Sequence, residues 1–455
     1  MSNRAILTTA LLLALAGLWA CWCDVALLWD GAYQFCSSIN AGHAFIYLSR
    51  FHSWVVWQPF IWLSHVTHNV RLLKMVYGAP YCFAPLASVL LSWWIVRRSA
   101  PHLMIWSLFG AAGAALPGQI FMINDSIFQM HLFWPVFLAT FLPLSRTQVA
   151  AMAILSIFQL SHPIGIGLCL LCSVGALAFA RWGNPERRTA LLGWAGWHAL
   201  LCAAGIAKLF LWPDSYAAQE ASVHRAWMAF RWGVLWWPFS GLVALWLAAS
   251  VFVWARSRPA SWLAPRAPRI ALGLIGIAGA CWTYWATDVV IWQTALNYRR
   301  WLVPMSMPIV LAAGWELWRR DRDSSSARSG RDTAGIAIAS VFLVVLGIQS
   351  EIWSRLYHRL SDQVAACPSR WIKQSDLPWI RETPMDHWGL GAQVILSQGS
   401  QPRVLLLGTG DDVLAYENSP QIALSPFTYF TPSDFPQSWF DWSTRQRETR
   451  ATLPR

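Results

Sequence analysis

The chain has 455 residues, 56% hydrophobic and only 12% charged, with a mean hydropathy of +0.40; soluble proteins carry about 25% charged residues, so a soluble globular protein is excluded. The formal net charge of +12 would suit a nucleic-acid binder. Here, however, the basic residues sit mostly in short loops between apolar runs, where topology and anionic headgroups account for them, so no nucleic-acid partner is expected.

Apolar runs of roughly 16 to 22 residues, long enough to cross a hydrocarbon core, are read in chain order at about 5–23, 76–96, 103–121, 128–144, 149–160, 164–180, 189–210, 234–254, 270–287, 301–317 and 333–349. The run at 149–160 is short, which puts the count at about eleven. No small-x-small cleavage site closes the first run, and it contains Trp19 and Trp22, so it is read as a retained helix rather than a signal peptide. With Arg4 cytoplasmic, one set of loops collects Arg97, Arg98, Arg146, Arg181, Arg187, Arg188, Arg256, Arg258, Arg266, Arg269, Arg319, Arg320, Arg322, Arg328 and Arg331. The positive-inside rule then sets the N-terminus in the cytoplasm and the tail outside.

After the first run comes an aromatic, moderately polar segment, 24–75. Placing 53–66 across the membrane would invert every later basic loop, so the segment is read as a long outer loop of two or three interfacial helices, with Trp54, Trp57 and Trp62 at headgroup depth. A second interfacial segment is expected at 211–233 and an unstructured polar linker at 319–332. The tail shows a helical start at 351–364, a short strand at Arg403–Leu407 and turn-rich stretches near 418–438. The fold class is therefore an all-α polytopic membrane protein of about eleven transmembrane helices, residues 1–349, with a small extracytoplasmic α+β domain, 350–455. Most of the nine cysteines lie within spans and read as small apolar residues. Cys23, Cys36 and Cys367 fall on the outer side, where one disulfide is compatible with the sequence and no pairing can be deduced.

Ionisable groups at the membrane are costly and default to functional readings. Asp24 and Asp30 follow the first span, and Asp125 stands in a very short outer loop. An aspartate before an apolar run is also an ordinary helix cap. Convergence of two or three of these acids on one face would suit either a general base or a bound Mg²⁺ or Mn²⁺ ion. Arg299 and Arg300 break the positive-inside trend at an outer span end and read as a phosphate clamp or as snorkelling side chains. His162 and Lys208, at outer span ends, are further candidates for substrate contact. The histidines form no HExxH motif and no GxSxG is present.

This order of features resembles the GT-C superfamily of membrane glycosyltransferases. "DGAYQF" at 30–35 looks like the first-loop Asp-x-x-Tyr element of the protein mannosyl- and aminoarabinose-transferase branch, and "NYRRWLVPMSMP" at 297–308 like its Arg-Tyr-x-x-Pro segment. The stretch from Gln58 to Arg98 is similar to that branch's Pro-aromatic stretch and following span. Gly31 stands where the branch often has Glu, and Gln58-Pro59 replaces its Pro-Pro without a preceding Lys. The resemblance implies an enzyme of the cell envelope, in the bacterial inner membrane with a periplasmic C-terminus, moving a sugar from a polyprenyl-phosphate carrier to a glycan, lipid or protein acceptor. It makes Asp30 the first-loop base or metal ligand, with Asp24 its rival, and Asp125 the second acid. Tyr33 belongs to the Asp-x-x-Tyr element, and Arg299 or Arg300 contacts the lipid phosphate. The alternatives are another lipid-linked glycan enzyme, a transporter, for which the spans are short of charge and repeats, and a non-catalytic scaffold.

Overall fold

The structure is a computed structural model. It describes residues 1–28, 30–44, 51–115, 125–183, 185–211, 310, 313–314, 316–317, 328–368, 371–383, 389–399 and 405–407. Over these the chain is a helical, membrane-embedded protein. Four helical stretches are long and apolar enough to cross a membrane: Asn3–Trp22, Ile164–Trp182, Pro185–Leu211 and Asp332–Ala365. The pair Val70–Cys82 and Ala84–Val96 is apolar enough to cross when taken together and is bent by 43° at its break, as in a broken span or a re-entrant loop. The expected runs at 234–254 and 270–287, and most of that at 301–317, lie outside the described residues.

Helix α1 (Asn3–Trp22) starts on Ser2, whose hydroxyl accepts the Ala5 N–H at 3.3 Å. Its small residues Ala5, Thr9, Ala16, Gly17 and Ala20 are buried, while Leu7, Leu11, Leu15 and Leu18 form an exposed stripe on the other side, as expected of a helix with one flank toward lipid. A Cβ at Gly17 would stand 2.9 Å from the Cys82 carbonyl, so only glycine admits the neighbouring helix there.

Among the described residues the first loop holds α2 (Asp30–Ala41), α3 (His52–Val56) and α4 (Gln58–Ser64), against the two or three short helices expected. One tryptophan is placed otherwise than expected. Trp54 and Trp62 are exposed, but Trp57 is fully buried, its ring stacked 4.9 Å from Tyr77. It serves the loop's own aromatic core with Phe35 and Phe60 rather than the headgroup layer. Next come α5 (Val70–Cys82) and α6 (Ala84–Val96). Pro80 within α5 and Pro85 at the start of α6 remove helical N–H donors about the bend.

Helices α7 (Met104–Ala115) and α8 (Asp125–Phe141) pack closely because Gly110 leaves room for the Trp134 indole. A reciprocal Ser145–Gln148 capping box opens α9 (Arg146–Ile157). That helix breaks into a 3-10 turn, Phe158–Ser161, before α10 (Ile164–Trp182) and α11 (Arg188–Leu211).

The last long helix, α12 (Arg328–Ala365), has 38 residues and reaches about 57 Å, well beyond a hydrocarbon core of about 30 Å. It runs unbroken through residues 349 and 350 and includes the expected helix at 351–364. It also takes in residues 328–332 of the segment expected to be an unstructured linker, because the Arg328–Asp332 stretch extends the apolar helix by another turn. The tail adds strand β1 (Trp371–Lys373), paired in parallel with β2 (Leu405–Leu407), and α13 (Leu390–Ser397), which packs on α12 and α2. The strand expected at 403–407 is thus present over its last three residues. Among the described residues, Cys23, Cys36 and Cys367 form no disulfide.

Contacts between helix ends sort them onto two faces. On one, the Met1 ammonium donates to the Pro101 carbonyl (3.0 Å), Ser2 N–H to Asp332 (2.7 Å) and Gln148 to the Trp94 carbonyl (2.8 Å), while Arg187 donates to the Phe141 carbonyl. The opposite ends of these helices form the second face, where α1 ends at Asp24.

Candidate functional site

Asp24 is the only non-glycine with positive φ among the described residues, at φ 57 and ψ 27. Aspartate tolerates this left-handed conformation better than most residues, and here it turns the chain from α1 into the 3-10 turn Val25–Leu27. The carboxylate accepts a hydrogen bond and ion pair from the Lys74 ammonium at 3.2 Å. Lys74 also donates to the Tyr357 hydroxyl at 3.1 Å, and its ammonium lies 4.9 Å from that ring's centroid.

Each partner comes from a different element. Lys74 is 9% exposed on α5, and Tyr357 is buried on α12 one turn beyond Trp353. The Trp353 indole donates to the Asp24 carbonyl at 3.1 Å, so α12 holds both the main chain and, through Lys74, the side chain of Asp24. One turn before Lys74, the Arg71 guanidinium lies 4.0 Å over the Trp22 ring. Burial pushes the Asp24 carboxyl above its ordinary 3.8, with the Lys74 charge as the largest opposing effect. The tail closes the arrangement, because Gln393 of α13 donates to the Leu27 carbonyl at 3.2 Å.

Among the other residues singled out, Asp30 and Asp125 are the first residues of α2 and α8, where a carboxylate complements the helix dipole. Their side chains lie outside the described atoms. Tyr33 is buried on α2, where burial raises its hydroxyl above the ordinary 10 and a hydrogen bond with Ser37 opposes the shift. His162 accepts the Ile164 N–H at 3.2 Å, which starts α10. Lys208 donates to the Leu160 carbonyl at 3.1 Å and lies 5.6 Å from the Phe51 ring. Both thus have structural partners at the 3-10 turn between α9 and α10. Arg299 and Arg300 lie outside the described residues.

The structure brings Asp24, the start of α2 and the start of α8 to the same face. The first loop reaches α8 directly. The His52 ring stacks 5.5 Å from Phe128 and its Nε2 is 3.1 Å from the Tyr81 hydroxyl. Tyr81 lies two helical turns beyond Lys74 on α5, which links the Asp24 pair to the α8 terminus through one helix.

Lys74 and Tyr357 were not identified from the sequence. The signal for Lys74 was its position at the entrance to an apolar run, where an ionisable side chain calls for a named partner. Tyr357 had no comparable signal. Among the described residues, no group of three His, Cys, Asp or Glu side chains is placed to hold a metal ion. No family model, curated protein or solved structure matches the chain.

Proposed function

We propose that this protein is a membrane glycosyltransferase moving a sugar from a polyprenyl-phosphate carrier to an acceptor on the Asp24 face. The observation that carries this reading is the arrangement of three acids at helix ends of that face, Asp24 after α1, Asp30 at the start of α2 and Asp125 at the start of α8, with the first loop folded back onto α8. With the Asp24 carboxylate held by Lys74, Asp30 and Asp125 are the acids left to draw a proton from the acceptor hydroxyl or to ligate a Mg²⁺ or Mn²⁺ ion. Asp24 positions the turn between α1 and α2. A polyprenyl phosphate leaves as an anion, and Arg299 and Arg300 supply the cations to hold it.

In this reading the membrane is a bacterial inner membrane. The basic helix ends Arg97, Arg98, Arg146, Arg181, Arg187 and Arg188 lie on the Met1 face, which supports a cytoplasmic reading of that face; the end of α12 and the tail that follows it are then periplasmic. A reporter fused after Arg455 is therefore expected to be active only in the periplasm, and one inserted near Ser325 only in the cytoplasm. The reverse pattern removes the outer-face site altogether.

The binding experiment replaces both Arg299 and Arg300 by Gln. Affinity for farnesyl phosphate, measured on protein in neutral nanodiscs, is expected to fall by ten- to a hundredfold, the scale of lost charge-assisted hydrogen bonds. Unchanged affinity in a folded variant returns the pair to snorkelling.

A scaffold without activity is the second reading. The observation favouring it is that the Asp24 carboxylate is already engaged and that Asp30 and Asp125 each begin a helix, a sufficient structural reason for an acid.

A further inference from the structure

Where α9 breaks before α10, the polar groups are only half satisfied. Gln129 of α8 donates its amide N–H groups to the carbonyls of Phe158 and Gln159, both at 3.2 Å, and Gln159 donates to the Gln129 carbonyl at 3.4 Å. Because these backbone oxygens only accept, the amide orientations are fixed, and each side-chain carbonyl oxygen must point elsewhere. Those two oxygens and the Ser161 hydroxyl have no hydrogen-bond partner, and the three residues are 1%, 2% and 1% exposed. An unsatisfied buried polar atom costs about 1–3 kcal/mol, so three at one break in a membrane helix call for a ligand or for ordered water.

The surroundings narrow the chemistry. Two carbonyl oxygens repel an anion. A metal cation is disfavoured because, among the described residues, no group of three His, Cys, Asp or Glu side chains is placed to hold one. What fits is a neutral hydrogen-bond donor, a hydroxyl group. Aromatic rings border the site: Phe51 stacks on Phe158 at 6.2 Å, and half-buried His162 follows Ser161. Gln129 stands one helical turn after Asp125 in α8, so the two positions share a helix face.

We propose that Gln129, Gln159 and Ser161 form a specificity subsite that reads hydroxyl groups of the sugar on the lipid phosphate; this rests on the glycosyltransferase reading above. The three oxygens offer two acceptors and one donor–acceptor to sugar hydroxyls, and Gln129 stands one helical turn from Asp125 on α8.

The test uses the full chain in phosphatidylcholine nanodiscs with farnesyl phosphate, bare or esterified to glucose, galactose or mannose. At least one sugar ester is expected to bind more tightly than the bare phosphate. Ser161→Ala and Gln159→Met should each reduce that advantage by about three- to tenfold, the scale of one hydrogen bond, and leave bare farnesyl phosphate binding unchanged. Ser161→Ala removes a hydroxyl that has no partner in the free protein, so its thermal stability should match the wild type. An undiminished advantage in both variants overturns the subsite, marks the three oxygens as water-filled, and leaves the transferase reading standing. No advantage of any ester over a bare phosphate that does bind also overturns the subsite alone. If neither bare phosphate nor esters bind, the functional reading falls and the subsite with it.

Discussion

Asp30→Asn and Asp125→Asn are each expected to cut sugar transfer by about a hundredfold or more, on the usual scale of acid–base contributions, while leaving expression and thermal stability close to wild type. The reasoning turns on what the amide keeps and what it loses. Asp30 and Asp125 are the first residues of α2 and α8, and there asparagine gives up only the interaction of a charge with the helix dipole, about 0.3–1 kcal/mol. The substitution preserves shape and hydrogen-bonding reach but removes the charge needed to accept a proton or ligate a divalent ion. Asp24→Asn should reduce transfer less, because that carboxylate is committed to Lys74 and its loss should register in stability. Single-turnover transfer from a polyprenyl-phosphate sugar, with thermal unfolding of the same preparations, separates the two roles. Full transfer in both Asn variants would assign the acids to structure and favour the scaffold.

Much of the helical layout was legible in the sequence because the bilayer imposes a length rule and every run long enough to span must satisfy its backbone internally. The runs at 5–23, 164–180, 189–210 and 333–349 correspond to α1, α10, α11 and α12. The rule is blind to direction within a run. It read 76–96 as one span, whereas the chain bends by 43° beside Phe83, and the prolines at 80 and 85 were the available sign. It also could not say how far α12 continues past the bilayer, since a helix that leaves the apolar layer on a packed surface no longer needs apolar residues all round.

The site was legible in part for a different reason. A carboxylate after a span is conspicuous in so apolar a chain, so Asp24, Asp30 and Asp125 stood out. Lys74 was absorbed into the count of basic residues near span ends, where it looks like any other topological charge. Its partners lie 50 and 283 positions away, and no local pattern announces a contact of that range. Trp57 failed for a related reason, because tryptophan suits both headgroup depth and an aromatic core, and only its packing on Tyr77 decides between them.

Lys74→Met is expected to lower the unfolding free energy at pH 7, and most of that loss should be restored by adding Asp24→Asn. Methionine keeps the unbranched stem, so packing changes little, but the Asp24 carboxylate loses its cation while remaining largely buried. Breaking a buried pair from one side typically costs 3–5 kcal/mol, and there is an upper bound. The carboxyl can escape by taking up a proton, and holding a group with an ordinary value of 3.8 neutral at pH 7 costs at most about 4.4 kcal/mol. The same bound fixes the pH dependence. In the wild type the folded value is already raised above 3.8, chiefly by burial, with Lys74 opposing. The site's contribution to stability is therefore full below pH 3.8 and declines as pH rises through the raised value. Removing Lys74 removes that opposition, the value climbs further, and the decline at neutral pH deepens. The gap between Lys74→Met and wild type should thus be widest at pH 7 and close toward pH 4, where the proton is bound at little cost. In the double variant no charge is buried, so this site no longer titrates; its gap to wild type should be small and should shift in the variant's favour as pH rises from 4 to 7, because only the wild type loses the Asp24 contribution. SDS unfolding titrations of the four proteins of this cycle at pH 4 and pH 7 measure each term. Equal losses for Lys74→Met at both pH values, or no recovery on adding Asp24→Asn, would mean that Lys74 holds α5 against α12 through Tyr357 and packing alone, with the carboxylate a bystander.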